Sequence, residues 1–217
     1  MLLLALDTAT PAISVALAEV SSDSRARIIA QRVVVDGKAH AERLAPEIEA
    51  VLSEGGIKAK DLAAVVAGVG PSPFTGLRVG LMTAATLGSA LGIPTYGACT
   101  LDALGAATSG RALVATDARR REVYWAIYED GRRITEPGVD KPAALVPILS
   151  KEHVLQGVGE GIQRYADVLG IAAGEPLYPP LELMVALAAE RVQRKEKSET
   201  LTPLYLRRPD AVERVVT

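Results

Sequence analysis

No charged residue occurs between Val79 and Leu101. The run is long enough to cross a membrane, but it holds Gly80, Gly88, Gly92, Pro94 and several Thr and Ser, and a strand-like Pro94–Ala98 closes it. It therefore reads as a buried helix over Gly76–Leu91 followed by a turn. Leu77, Leu81, Leu87 and Leu91 flank a stripe of Gly80, Ala84 and Gly88, which lie four apart and so stack on one face. A helix that is apolar nearly all round must be covered nearly all round, by its own domain or by a partner. The smooth stripe admits another backbone at close range, within the chain or across an interface.

The helix is entered from an apolar run, Ala63–Ala67, through a loop with Gly68, Gly70, Pro71 and Pro73, and Thr75 is placed to cap it. A strand, a glycine loop and a helix N-terminus together can hold an anion. Equally, glycine is what any tight strand-to-helix turn requires. Asp7 ends the buried strand Leu2–Leu6 and Asp117 ends Ala112–Thr116, where active residues of α/β folds often sit. Asp7, Thr8, Gly70, Thr75, Gly76 and Asp117 are thus candidate nucleotide or phosphate loops. Thr8-Ala9-Thr10 lacks glycine, so the preferred reading is that Asp7 caps its own turn.

Strands at Leu2–Leu6, Ala12–Val20 and Arg27–Val35 precede a helix over His40–Leu52, with Leu44, Ile48, Val51 and Leu52 on one face, and a strand at Asp61–Val69. From about Thr100 the pattern restarts, with strands at Ala112–Thr116, Val123–Tyr128 and Arg132–Glu136, then helices at about Ala143–Ser150, Ile162–Leu169 and Leu181–Lys195 around a strand near Val154–Gly157. The expected organisation is an N-terminal lobe, 1–100, and a C-terminal lobe, 101–217, with a mobile polar tail from about Ser198.

A net charge of −2 and a pI of about 5.8 argue against wholesale phosphate binding. One cysteine excludes an internal disulfide and a Cys-based zinc site. His40 and His153 are far apart and lack the spacing of a helix-borne metal pair, so no metal is expected. MLLLALD has no basic flank and is cut short by Asp7, which reads as a cytoplasmic protein rather than a signal peptide. Arg119-Arg120-Arg121 and Arg132-Arg133, beside Tyr124 and Trp125, have the composition of an RNA contact. Glu122, Glu129 and Asp130 interleave, however, and the preferred reading is a solvated hairpin.

Four segments carry a family resemblance: Asp7-Thr8-Ala9-Thr10, Gly70-Pro71-Ser72-Pro73-Phe74-Thr75-Gly76-Leu77-Arg78-Val79-Gly80, Asp117-Ala118-Arg119-Arg120-Arg121-Glu122-Val123-Tyr124, and Pro203-Leu204-Tyr205-Leu206-Arg207. In order and spacing they resemble the TsaB (YeaZ) family, the dimerisation subunit of bacterial threonylcarbamoyladenosine synthesis in tRNA. The resemblance implies an α/β fold of the actin-like, Hsp70-like duplicated kind, with two βββαβα-type lobes and a reduced C-lobe. It implies an inactive relative and scaffold that binds a TsaD-like catalytic subunit through N-lobe helices and supports N6-threonylcarbamoylation of adenosine 37. A TsaE-like ATPase joins that pair. On its own the chain is expected to form a homodimer. Contact with tRNA is expected to be indirect or weak, no membrane partner and no cofactor are expected, with weak ATP binding left open, and the candidate phosphate loops would be vestigial. The partner interface is assigned to His40, Leu44, Ile48, Val51, Leu77, Gly80, Leu81, Ala84 and Gly88. The family usually has Gly-Pro-Gly-Ser where Ser72 and Pro73 fill the last two places, giving a stiffer loop here. The alternative is a small actin-like phosphotransferase or nucleotide hydrolase, but Asp117-Ala118-Arg119 stands where such an enzyme needs a second glycine-rich loop.

Overall fold

Leu2–Asp7 is apolar up to its terminal aspartate and forms β1, the middle strand of the first of two sheets in the computed structural model, which describes residues 1–207. β2 (Ala12–Val20) runs antiparallel to β1 and to β3 (Ala26–Val35). On the other side β4 (Ala64–Gly68) is parallel to β1, and β5 (Thr95–Ala98) is parallel to β4. The crossovers carry α1 (His40–Glu54) and α2 (Phe74–Leu91). Strands covered on both faces become near-continuous apolar runs, and alternation then sorts their side chains. Leu4, Leu6, Val65 and Ala67 pack under α1 and α2, while Leu3, Ala5, Val66 and Tyr96 face the opposite layer.

The second sheet repeats this connectivity. After α3 (Thr100–Gly105) come β6 (Arg111–Asp117), β7 (Val123–Glu129), β8 (Arg132–Arg133) and β9 (Gly138–Asp140). They are followed by α4 (Pro142–Lys151), β10 (Gln156–Val158), α5 (Glu160–Leu169) and β11 (Ala172–Gly174). β6 and β7 are antiparallel, β10 is parallel to β6 and β11 to β10. The third strand is split, since β8 and β9 both pair with β7. The duplicated, actin-like fold with a reduced second lobe is therefore the architecture. β11, three exposed residues long, has no counterpart in the sequence reading.

The chain then returns to the first lobe. In α6 (Leu181–Gln193), Leu181, Met184, Val185, Ala188, Ala189 and Val192 cover the inner face of the first sheet. α3 packs beside α6 and against β6 and β7, so these two helices fill the layer between the sheets. The tail expected to be mobile from about residue 198 is tied down over 198–207. Ser198 Oγ accepts from Thr95 N at 3.0 Å, Glu199 N donates to Thr95 O at 2.8 Å, and Leu204 N donates to Val69 O at 2.8 Å. Arg207 donates to Ala118 O at 3.1 Å and pairs with Glu122. Residues 208–217 of that expected tail lie outside the described residues. Among the described residues no helix is long and apolar enough to cross a membrane.

Candidate functional site

The sequence-predicted residues fall in two places, a cleft and the layer under α1 and α2. The first is a cleft of about 230 Å³ between the lobes. Its first-lobe wall is the β1–β2 turn Thr8–Pro11, Gly37, His40 at the start of α1, and Ser72, Pro73, Thr75 and Gly76 at the start of α2; Asp117 and Arg119 close it from the second lobe. α2 begins at Phe74 rather than at Gly76, because Pro73 takes the N-cap position. Thr75, the expected cap, lies inside the helix and is exposed, and no side chain caps this end.

Thr8 is tied into α2. Its hydroxyl donates to Gly76 O at 2.8 Å and accepts from Gly80 N at 3.1 Å, standing between the two ends of one helical turn. Asp7 is fully buried, with Oδ1 accepting from Ala9 N at 2.9 Å and Oδ2 from the Thr100 hydroxyl at 2.7 Å. Burial pushes its carboxyl up, the two hydrogen bonds and His40 pulling the other way. A Cβ on Gly68 would stand 1.8 Å from Asp7 Oδ2, so glycine there makes room for the carboxylate. Asp7 thus caps its turn and pins β1 to α3. Gly70 has a left-handed φ of 91°, and its carbonyl accepts from Thr100 N at 2.8 Å.

The second-lobe wall is a charged turn. Arg119, Arg120 and Arg121 have φ of 62°, 54° and 61°. Left-handed backbone costs a residue with a Cβ about 1–2 kcal/mol, so a run of three persists only where its surroundings hold it. Asp117 Oδ1 accepts from Arg119 N at 3.1 Å, Ala118 N donates to Glu122 O at 3.0 Å, and Glu122 N donates to Arg119 O at 2.9 Å. Asp117 Oδ2 lies 3.1 Å from Arg164 and 3.7 Å from Arg119. Behind it, Glu160 accepts from Asp117 N at 3.1 and 3.2 Å through its two oxygens. Burial, chiefly, raises the Glu160 carboxyl to about 7, with the Asp117 charge adding to the rise and the Asp117 and Gly161 amides opposing it. Cys99 is pushed up to about 11 by burial and by Asp102, leaving a protonated thiol at neutral pH. Tyr124 and Trp125 are buried at 3% and 8% exposure, and Arg133 pairs with Asp102 at 3.2 Å. These aromatics offer no stacking face.

The second place is the layer under α1 and α2. Every residue assigned to the partner interface is buried within the chain. Leu44, Ile48, Val51, Leu77, Leu81 and Ala84 are core residues under the first sheet, and His40 Nε2 lies 2.9 Å from Thr10 O. A Cβ on Gly80 would stand 2.3 Å from Thr8 Oγ1, and one on Gly88 2.6 Å from Thr95 Cγ2. The small-residue stripe therefore lets α2 lie close to its own strands. The residues assigned to the interface thus lie on the inward faces of α1 and α2, against their own sheet. What the helices present outward is a groove of about 260 Å³ lined by Ala45, Glu49, Leu52, Thr83 and Leu87, with Leu4, Ile48, Ala59 and Leu62 beneath it. Met82 on α2 is 65% exposed. For Met82, Thr83 and Leu87 the signal in the sequence is the uncharged run itself, one helical face over.

Comparison with known proteins agrees with this architecture. The family model described as TsaD: tRNA N6-adenosine threonylcarbamoyltransferase matches residues 29–167. An uncharacterized protein of Mycobacterium tuberculosis is 46% identical over 96% of this chain and 92% of its own length. The tRNA threonylcarbamoyladenosine biosynthesis protein TsaB of Escherichia coli is 31% identical over 95% of each chain. The solved structure of YeaZ from Pseudomonas aeruginosa superposes with a TM-score of 0.76 at 31% identity, over 94% of this chain and 99% of its own. Two like lobes facing a cleft, matched by that family model, define an actin-like protein of the TsaD-related class. Within that class the chain belongs to the TsaB (YeaZ) family.

Proposed function

We propose that this chain is a non-catalytic scaffold that docks a TsaD-like catalytic subunit on the outer face of α1 and α2, supporting N6-threonylcarbamoylation of adenosine 37 in tRNA. The observation that carries the reading is the apolar groove between those helices; Met82, further round the outward side of α2, is exposed as well. Contiguous apolar surface of this kind marks an interaction site. The name of the Escherichia coli relative supports the pathway. The burial of Asp7 supports the absence of catalysis, because a sealed carboxylate cannot reach a magnesium-bound phosphate in the cleft. The reading places the assembly in the cytoplasm, adds a TsaE-like ATPase, needs no cofactor, and lets two copies pair through the same face when the partner is absent.

Sedimentation of the chain with its host's TsaD-like subunit tests this. Wild type is expected to co-sediment. Met82→Glu should stay folded and lose roughly a hundredfold in affinity, since a charge desolvated without a partner is costly. Ile48→Glu and Ala84→Arg should unfold the chain instead, because both side chains are core. A folded Met82→Glu that associates as wild type would place the interface elsewhere. The second reading, a small phosphotransferase or nucleotide hydrolase, draws on the cleft at the uncapped start of α2. ATP turnover by the chain alone, lost in Asp117→Asn, would favour it.

A further inference from the structure

The arginine turn between β6 and β7 serves neither core nor groove. Where a connection between two antiparallel strands uses left-handed residues, glycine or asparagine supplies them at the lowest cost. Here three arginines take that conformation in succession, and the surrounding hydrogen bonds lock it. The turn therefore fixes the backbone from which three exposed cations project. Arg119 and Arg164 share one carboxylate, Asp117, whose side chain is 8% exposed, and Arg207 takes Glu122. Arg121 is exposed and has no hydrogen-bond or ion-pair partner among the described residues. In a chain whose net charge is −2, positive charge is gathered at this place.

The location adds to it. Arg119 reaches the cleft opposite His40 and Gly76, so the turn stands beside the first turns of α1 and α2. Helix N-termini carry partial positive charge, and α2 has neither a capping side chain nor an acidic residue in its first turn. The turn thus borders the ends of the two helices to which docking is assigned.

We propose that Arg119, Arg120 and Arg121 form a contact for the backbone phosphates of RNA, at the mouth of the cleft between the lobes. The identity of the polyanion rests on the function proposed above. The guanidinium fork matches phosphate oxygens in pairs. With Tyr124 and Trp125 buried, no base is stacked, so the contact positions RNA without reading sequence.

The test uses a triple variant, Arg119→Asn, Arg120→Asn and Arg121→Asn, because asparagine tolerates left-handed backbone and keeps the turn. The probe is an in vitro tRNA transcript with adenosine at position 37, titrated against the full-length chain alone and in complex with its TsaD-like subunit. Three phosphate contacts predict that the variant loses about tenfold or more in affinity near physiological salt, and that its log K against log salt slope is shallower by about 2–3. A triple Arg→Lys variant should keep most of the slope. Association with the TsaD-like chain should not change in either variant. Equal affinity and slope in wild type and the Asn variant, or no transcript binding by wild type in either form, would overturn the proposal. So would a variant that binds RNA normally but loses the TsaD-like chain, which would make the turn a protein contact. If wild type fails to associate with that chain, the docking reading falls, while the salt slopes of the free protein still decide this one.

Discussion

Glu160 is a carboxyl raised into the neutral pH range. Its carboxyl sits at about 7, against an ordinary 4.5, with Asp117, Arg119 and Tyr178 facing it. Below 4.5 the group is protonated in both folded and unfolded chains and contributes nothing. Between 4.5 and 7 the unfolded chain releases the proton while the folded chain keeps it, so stability falls as pH rises through this window and stays lowered above it. Glu160→Gln should flatten that fall. Between pH 5 and pH 8 the wild type is expected to lose on the order of 2–3 kcal/mol more than the variant, read from urea midpoints. Equal pH profiles would show that the carboxyl is not held protonated. Little in the sequence marks this site beyond Gly159-Glu160-Gly161 after a short strand, because the burial comes from residues distant in sequence. Asp7 and Asp117 were both visible as strand-ending carboxylates. Which one is sealed depends on Thr100, 93 positions from Asp7.

At the scale of elements, α2 shows how far periodicity reaches. Its existence and extent were legible within two residues, since a proline-free apolar run bounded by Pro73 and Gly92 has few other solutions. Its facing was not, because a helix apolar nearly all round gives no contrast between inside and outside. Contact with β1 decides it. Gly80→Ala should gain helix propensity of about 1 kcal/mol, yet its Cβ would displace the Thr8 hydroxyl from the first turns of α2. Overpacking of this kind costs about 1–3 kcal/mol, so net destabilisation is expected in urea unfolding. Thr8→Ala removes the clashing oxygen, and the double variant should be more stable than the sum of the two single losses predicts. Strict additivity would mean the two residues are not coupled. β11 escaped the reading for the opposite reason: Ala172–Gly174 is short, exposed and without periodicity.

At the scale of the whole molecule, the repeat of connectivity was legible from the recurrence of strand, aspartate, turn and strand in each half. The return of α6 to the first lobe was not, since nothing in an amphipathic stripe says which of two sheets it will cover. A fragment of residues 1–100 lacks that cover and would leave Leu3, Ala5, Ala16, Val66 and Tyr96 open on one side of its sheet. It is expected to lack fixed tertiary structure, seen as collapsed amide dispersion in NMR, whereas the same fragment fused through a linker to 181–207 should regain it. A well-dispersed spectrum from 1–100 alone would show that the lobe folds without α6. The same arrangement sets an order of events during synthesis. The ribosome delivers the first sheet about 90 residues before its cover, which at roughly 5–20 residues per second is a wait of about 5–20 seconds. Through that interval the nascent chain carries an exposed apolar sheet face, and so offers chaperones a client site that the finished protein no longer has.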